Sequence, residues 1–64
     1  MIEMKDVRRF QKDVVTENFD YTRKALDRYN NYEEFYNDCD SEVKNWLFIN
    51  QSYEYFQDYY DYKN

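Results

Sequence analysis

DSEVKNWLFINQSYEYFQDYYD, residues 40–61, carries the clearest periodicity in the chain. Trp46, Ile49, Tyr53, Phe56 and Tyr60 recur at steps of three, four, three and four, a heptad-like seam. With Asp40 or Ser41 as cap, the spacing predicts one long helix reaching toward Asp61. Period-two alternation is confined to Tyr53 and Tyr55, so a strand is a poor second choice. Phe48, Tyr55, Tyr59 and Tyr62 form a second aromatic stripe beside the seam. One stripe closes a core. Two imply a helix that is apolar nearly all round, or tyrosines that face a partner.

Working outward, the chain contains neither Gly nor Pro. Tight hairpins lean on Gly, and both residues break helices, so helices joined by short polar turns are expected. From Ile2 to Val15, Met4, Val7, Phe10 and Val14 make a helical stripe. A turn at Thr16–Asn18 or a continuing helix follows. A second segment, Phe19–Tyr29, places Phe19, Leu26 and Tyr29 on one side. Asn30-Asn31 is the best break, Asn30 pairing with Glu33 or Asn31 with Glu34 to cap a short helix holding Tyr32, Phe35, Tyr36 and Cys39. The expected fold is all-α, a single small three- to four-helix bundle with a long aromatic C-terminal helix.

A 64-residue chain is marginal on its own and needs disulfides, metal, oligomerisation or dense aromatic packing. Cys39 is the one cysteine and histidine is absent, which excludes an internal disulfide and argues against zinc. Fifteen aromatics remain to hold the fold. No secretory or membrane-spanning run is expected, and the lone thiol fits a reducing bacterial cytoplasm. Residues with GC-rich codons are nearly absent, as in an AT-rich bacterium or its phage.

No catalytic constellation is readable. Cys39 lies among Asp38, Asp40 and Glu42, which oppose thiolate formation, and reads as a packing residue. Asp38 to Glu42 lacks the glycine of a calcium loop. No cofactor and no enzymatic activity are expected. Lys5, Arg8, Arg9 and Lys12, then Arg23, Lys24 and Arg28, form basic clusters, but acids interleave with them. They read as a solvated face that pairs with the acidic half, with no direct nucleic-acid binding.

Charge is uneven. Residues 1–30 hold seven Lys/Arg against six acids, whereas residues 31–64 hold eight acids against Lys44 and Lys63, a net of −6. Glu54, Asp58 and Asp61 share a helix face about 10 Å long. Tyrosine buries large area with few torsions, and carboxylates beside it complement an Arg/Lys-rich groove. The candidate partner-binding set is Glu33, Glu34, Asp38, Asp40, Glu42, Glu54, Tyr55, Asp58, Tyr59, Asp61 and Tyr62. Fixed carboxylates can replace phosphates in a nucleic-acid groove, so an inhibitor of a host nucleic-acid-binding protein is the leading expectation. The alternatives are a helical structural or regulatory module forming a homodimer through the seam, and an antitoxin- or anti-sigma-like partner.

Glu33-Glu34-Phe35-Tyr36-Asn37-Asp38 resembles a helical stretch of a small type II-A anti-CRISPR family from low-GC prophages. The similarity covers six of 64 residues, and that family's strands and glycine turns have no counterpart here. It implies that Glu33, Glu34 and Asp38 face the DNA-reading surface of a CRISPR effector.

Overall fold

The computed structural model describes residues 1–63. Within them the chain is all-α, with five helices and no strand ladder: α1 Met4–Thr16, α2 Asp20–Leu26, α3 Tyr32–Asn37, α4 Ser41–Ile49 and α5 Tyr53–Lys63. None of these is long and apolar enough to cross a membrane.

The first helix starts later than the apolar pattern predicts. Ile2 is extended instead, forming a parallel bridge to Cys39. Its N–H donates to the Asp38 carbonyl at 3.0 Å, its carbonyl accepts the Asp40 N–H at 2.8 Å, and its side chain is fully buried. The chain start is thereby tied to the α3–α4 junction. Asp6 then closes the first turn of α1, its Oδ2 accepting the Glu3 N–H at 2.9 Å.

Val7 and Phe10 are buried as the stripe predicts, but Val14 is 54% exposed. The buried face runs through Asp6 and Asp13 instead. Asp13 Oδ2 accepts the Thr22 N–H at 2.9 Å and the Thr22 hydroxyl at 2.7 Å, and the Tyr21 hydroxyl donates to Asp6. A buried carboxylate is costly unless hydrogen-bonded, and these bonds lock the first turn of α2 onto α1. The turn between the two helices exists because Glu17 adopts a left-handed conformation at φ 58°, and the Asp13 carbonyl accepts the Glu17 and Asn18 amides.

Asn31 caps α3, accepting the Glu34 N–H at 2.9 Å, and Asp40 caps α4, accepting the Glu42 N–H at 3.3 Å. The expected long final helix is two helices. Gln51 sits at φ 54°, the Ser52 N–H reaches back to the Leu47 carbonyl at 3.1 Å, and the Gln51 N–H to that of Phe48 at 3.4 Å. This is a Schellman closure built without glycine. The Asn50 side chain also donates to the Trp46 carbonyl at 3.0 Å. The step from Ile49 to Tyr53 spans the turn, so heptad spacing alone could not register it.

The break splits the seam. Phe56 and Tyr60 are buried, Trp46 is half-buried, and Ile49 and Tyr53 are exposed. Val43 and Leu47 take the core positions of α4. Phe56 lies at the centre, its ring 5.1 Å from Phe35, 5.8 Å from Phe10 and 6.5 Å from Trp46. Tilted aromatic pairs of this kind add about 0.5–1.5 kcal/mol each beyond the area they bury. The Tyr60 hydroxyl donates at 2.6 Å to the Leu26 carbonyl at the end of α2, which also accepts the Tyr29 N–H at 3.1 Å.

Candidate acidic and aromatic interface

Helix α5 is anchored along one line by Phe56 and Tyr60, which fixes what its remaining faces present. At 3.6 residues per turn, Asp58 projects opposite that line, with Glu54 and Asp61 beside it. All three carboxylates are exposed. Tyr55 and Tyr62 come next around the helix, 51% and 95% exposed, and Tyr59 lies nearest the core.

Tyr59 is committed to the fold. Its hydroxyl donates at 2.7 Å to Asp27 Oδ1, and the Lys63 ammonium reaches the same oxygen at 2.8 Å. Those two donors, Lys63 first, hold the Asp27 carboxyl below the usual range, while the bond to Asp27 and then burial raise the Tyr59 hydroxyl. Tyr55, Tyr59 and Tyr62 also wall a groove of about 520 Å³ between α2 and α5, opposite Phe19 and Arg23. Tyr55 borders a second groove of about 460 Å³ between α1 and the α4–α5 corner, with Val14 and Trp46.

The α3–α4 carboxylates have other duties. Asp38 accepts the Tyr29 hydroxyl at 2.5 Å and pairs with the N-terminal ammonium at 3.3 Å, and these bonds lower its pKa. Burial and then Asp38 push the Tyr29 hydroxyl up to about 12. Asp40 is the α4 cap. Glu33 and Glu34 stand in the first turn of α3 and Glu42 in that of α4, where acids favour the helix dipole. The side chain of Glu34 also accepts from Asn30 at 3.5 Å. Among the described residues, no group of three or more Cys, Asp or Glu side chains is placed to hold a metal ion.

Cys39 is buried, and its thiol donates to the Phe35 carbonyl at 3.2 Å. Burial, with Asp38 adding, pushes the thiol up to about 12. It is a packing residue.

The chain matches no family model, no curated protein and no solved structure. Its site is therefore read from its own geometry. The eleven candidate residues divide into three groups. Asp38, Asp40 and Tyr59 hold the fold together, Glu33, Glu34 and Glu42 stand in the first turns of α3 and α4, and Glu54, Tyr55, Asp58, Asp61 and Tyr62 make no side-chain hydrogen bond or ion pair among the described residues.

Among the described residues no ion pair joins the basic clusters of α1 and α2 to the acidic half, where Arg28 acts on Asp38 only as a nearby charge. Lys5 pairs locally with Glu3 at 3.3 Å, and the Arg9 guanidinium lies 4.4 Å over the Tyr21 ring. The ion pair from α5 runs from Lys63 to Asp27. The structural work of Asp6 and Asp13 also escaped the sequence reading. Their spacing of seven, in line with Phe10, was the available signal.

Proposed function

We propose that this protein is a non-catalytic binding module whose α5 outer face docks on a basic nucleic-acid-binding surface of another protein. The observation that carries the reading is that Glu54, Asp58 and Asp61 project from a helix firmly anchored by Phe56 and Tyr60, next to the exposed Tyr55 and Tyr62. An anchored helix brings its carboxylates to a partner with the backbone already ordered, and an Arg/Lys groove built for phosphate accepts them in its place. The tyrosines supply apolar area that phosphate lacks. The anti-CRISPR resemblance makes a CRISPR effector the partner of first choice and an inhibitor of phage type the biological role. Of its three residues, Glu33 and Glu34 are exposed, while Asp38 is occupied by Tyr29.

The test is capture of partners from bacterial lysate by the full chain across a salt series, beside the triple variant Glu54→Lys, Asp58→Lys, Asp61→Lys. The captured protein should be basic, released by salt, and lost with the variant, whose circular dichroism stays native. A partner held equally by both chains at every salt concentration would overturn the reading.

A further inference from the structure

Helix α4 has a second apolar face that the fold does not use. Val43 and Leu47 point into the core, yet Phe48 is 79% and Ile49 65% exposed. Two neighbouring large apolar side chains at such exposure offer area that an interface can bury. Around the helix, a line through Ser41 and Asn45 divides this outer face. Phe48 and Lys44 lie on one side of it, Ile49 and Glu42 on the other. The turn that follows, Asn50-Gln51-Ser52, is uncharged.

A chain with 36% charged residues and a net charge of −5 thus carries an electrically balanced apolar patch. The basic partner proposed for α5 gains nothing from it. A second copy of this chain does, because each copy brings both a cation, Lys44, and an anion, Glu42, to the same face. The patch is also self-complementary. A two-fold axis along the dividing line sets Phe48 of each copy on Ile49 of the other, and brings Lys44 of each copy, whose ammonium stands 5.3 Å from the centre of its own Tyr36 ring, to the side of Glu42 of the other.

We propose that the chain forms a symmetric homodimer through the outer face of α4, centred on Phe48 and Ile49. This interface takes only Ile49 from the Trp46–Tyr60 seam, which the turn at Gln51 breaks and the core partly consumes. It is also separate from the α5 acid stripe, so it stands or falls independently of the binding function. Pairing adds buried apolar area to a 64-residue core of marginal size.

Sedimentation equilibrium of the full chain over a wide concentration range tests this. The expected result is a reversible dimer of the 8.2 kDa chain that persists or tightens in added salt, the opposite of the α5 complex. Phe48→Glu and Ile49→Glu, both at exposed positions that leave the core intact, should each weaken the dimer by at least about 30-fold. Glu42→Lys and Lys44→Glu should each weaken it, and together restore it. A wild-type chain that is monomeric at millimolar concentration overturns the proposal, as does a dimer indifferent to Phe48→Glu and Ile49→Glu.

Discussion

Replacing Gln51 by Gly and by Ala tests the turn that separates α4 from α5. A residue other than glycine at φ 54° bears the left-handed penalty of about 1–2 kcal/mol. Glycine removes it but adds about 0.5–1 kcal/mol of unfolded-chain entropy. Gln51→Gly should therefore stabilise the protein by about 0.5–1 kcal/mol. For a domain of this size, 1 kcal/mol corresponds to a Tm shift of about 4–8 °C. Ala keeps its Cβ and gains nothing, so the Gly variant should outlast the Ala variant by about 1 kcal/mol. In a continuous helix the order reverses, because Ala is then favoured over Gly by about 1 kcal/mol. Thermal melts followed by circular dichroism read the order directly. An Ala variant more stable than the Gly variant would refute the turn and restore the single long helix. Glu17→Gly at φ 58° should behave like Gln51→Gly.

Asp13→Ala removes both bonds to Thr22 and leaves a buried amide without an acceptor, costing about 2–4 kcal/mol in urea denaturation. A cost below about 0.5 kcal/mol would show that the carboxylate does not join α1 to α2. Burial raises Tyr29 and Tyr32 to about 12, so the stability they contribute is complete below pH 10 and declines as pH climbs through their folded values. Tyrosinate absorbance should show these hydroxyls ionising late, together with loss of helix, and ionisation of all nine tyrosines near pH 10 with the fold intact would contradict the packing. Asp6 is the opposite case. Burial raises its carboxyl, but the Tyr21 and Glu3 bonds and the Lys5 and Arg28 charges outweigh it, so its net shift is downward. Its contribution is present above pH 3.8 and lost on further acidification, when melting should fall. Cys39 should resist alkylation at neutral pH until the chain unfolds, and rapid native modification would show that its site is open.

Helix was legible in the sequence because apolar spacing and the missing glycine and proline agree, and the caps of α3 and α4, Asn31 and Asp40, are each one of the two residues that turn chemistry offered. The turn at Gln51 was not legible, and the turn at Thr16–Asn18 stood open beside a continuing helix, for one shared reason. Glu17 and Gln51 end helices from the left-handed region, where glycine is the ordinary signal and neither residue gives one. Val14 and Asp13 show the complementary limit. Periodicity assigns the apolar residue to the core, but an acceptor for the Thr22 amide and hydroxyl mattered more at that point. Ile2 was lost to the same bias, since its bridge to Cys39 joins residues far apart in the chain. In α5 the tyrosine and carboxylate stripes followed from spacing alone, whereas the engagement of Tyr59 with Asp27 required the tertiary fold.

The most direct test of the binding account is competition. The protein captured on the full chain is loaded with labelled duplex DNA, and the chain is titrated in while bound DNA is followed by fluorescence anisotropy. The account predicts displacement of the DNA by the wild-type chain, weakening as salt rises, and none by the Glu54→Lys, Asp58→Lys, Asp61→Lys variant. A stable ternary complex, or displacement by the reversed variant as effective as by the wild type, would contradict it.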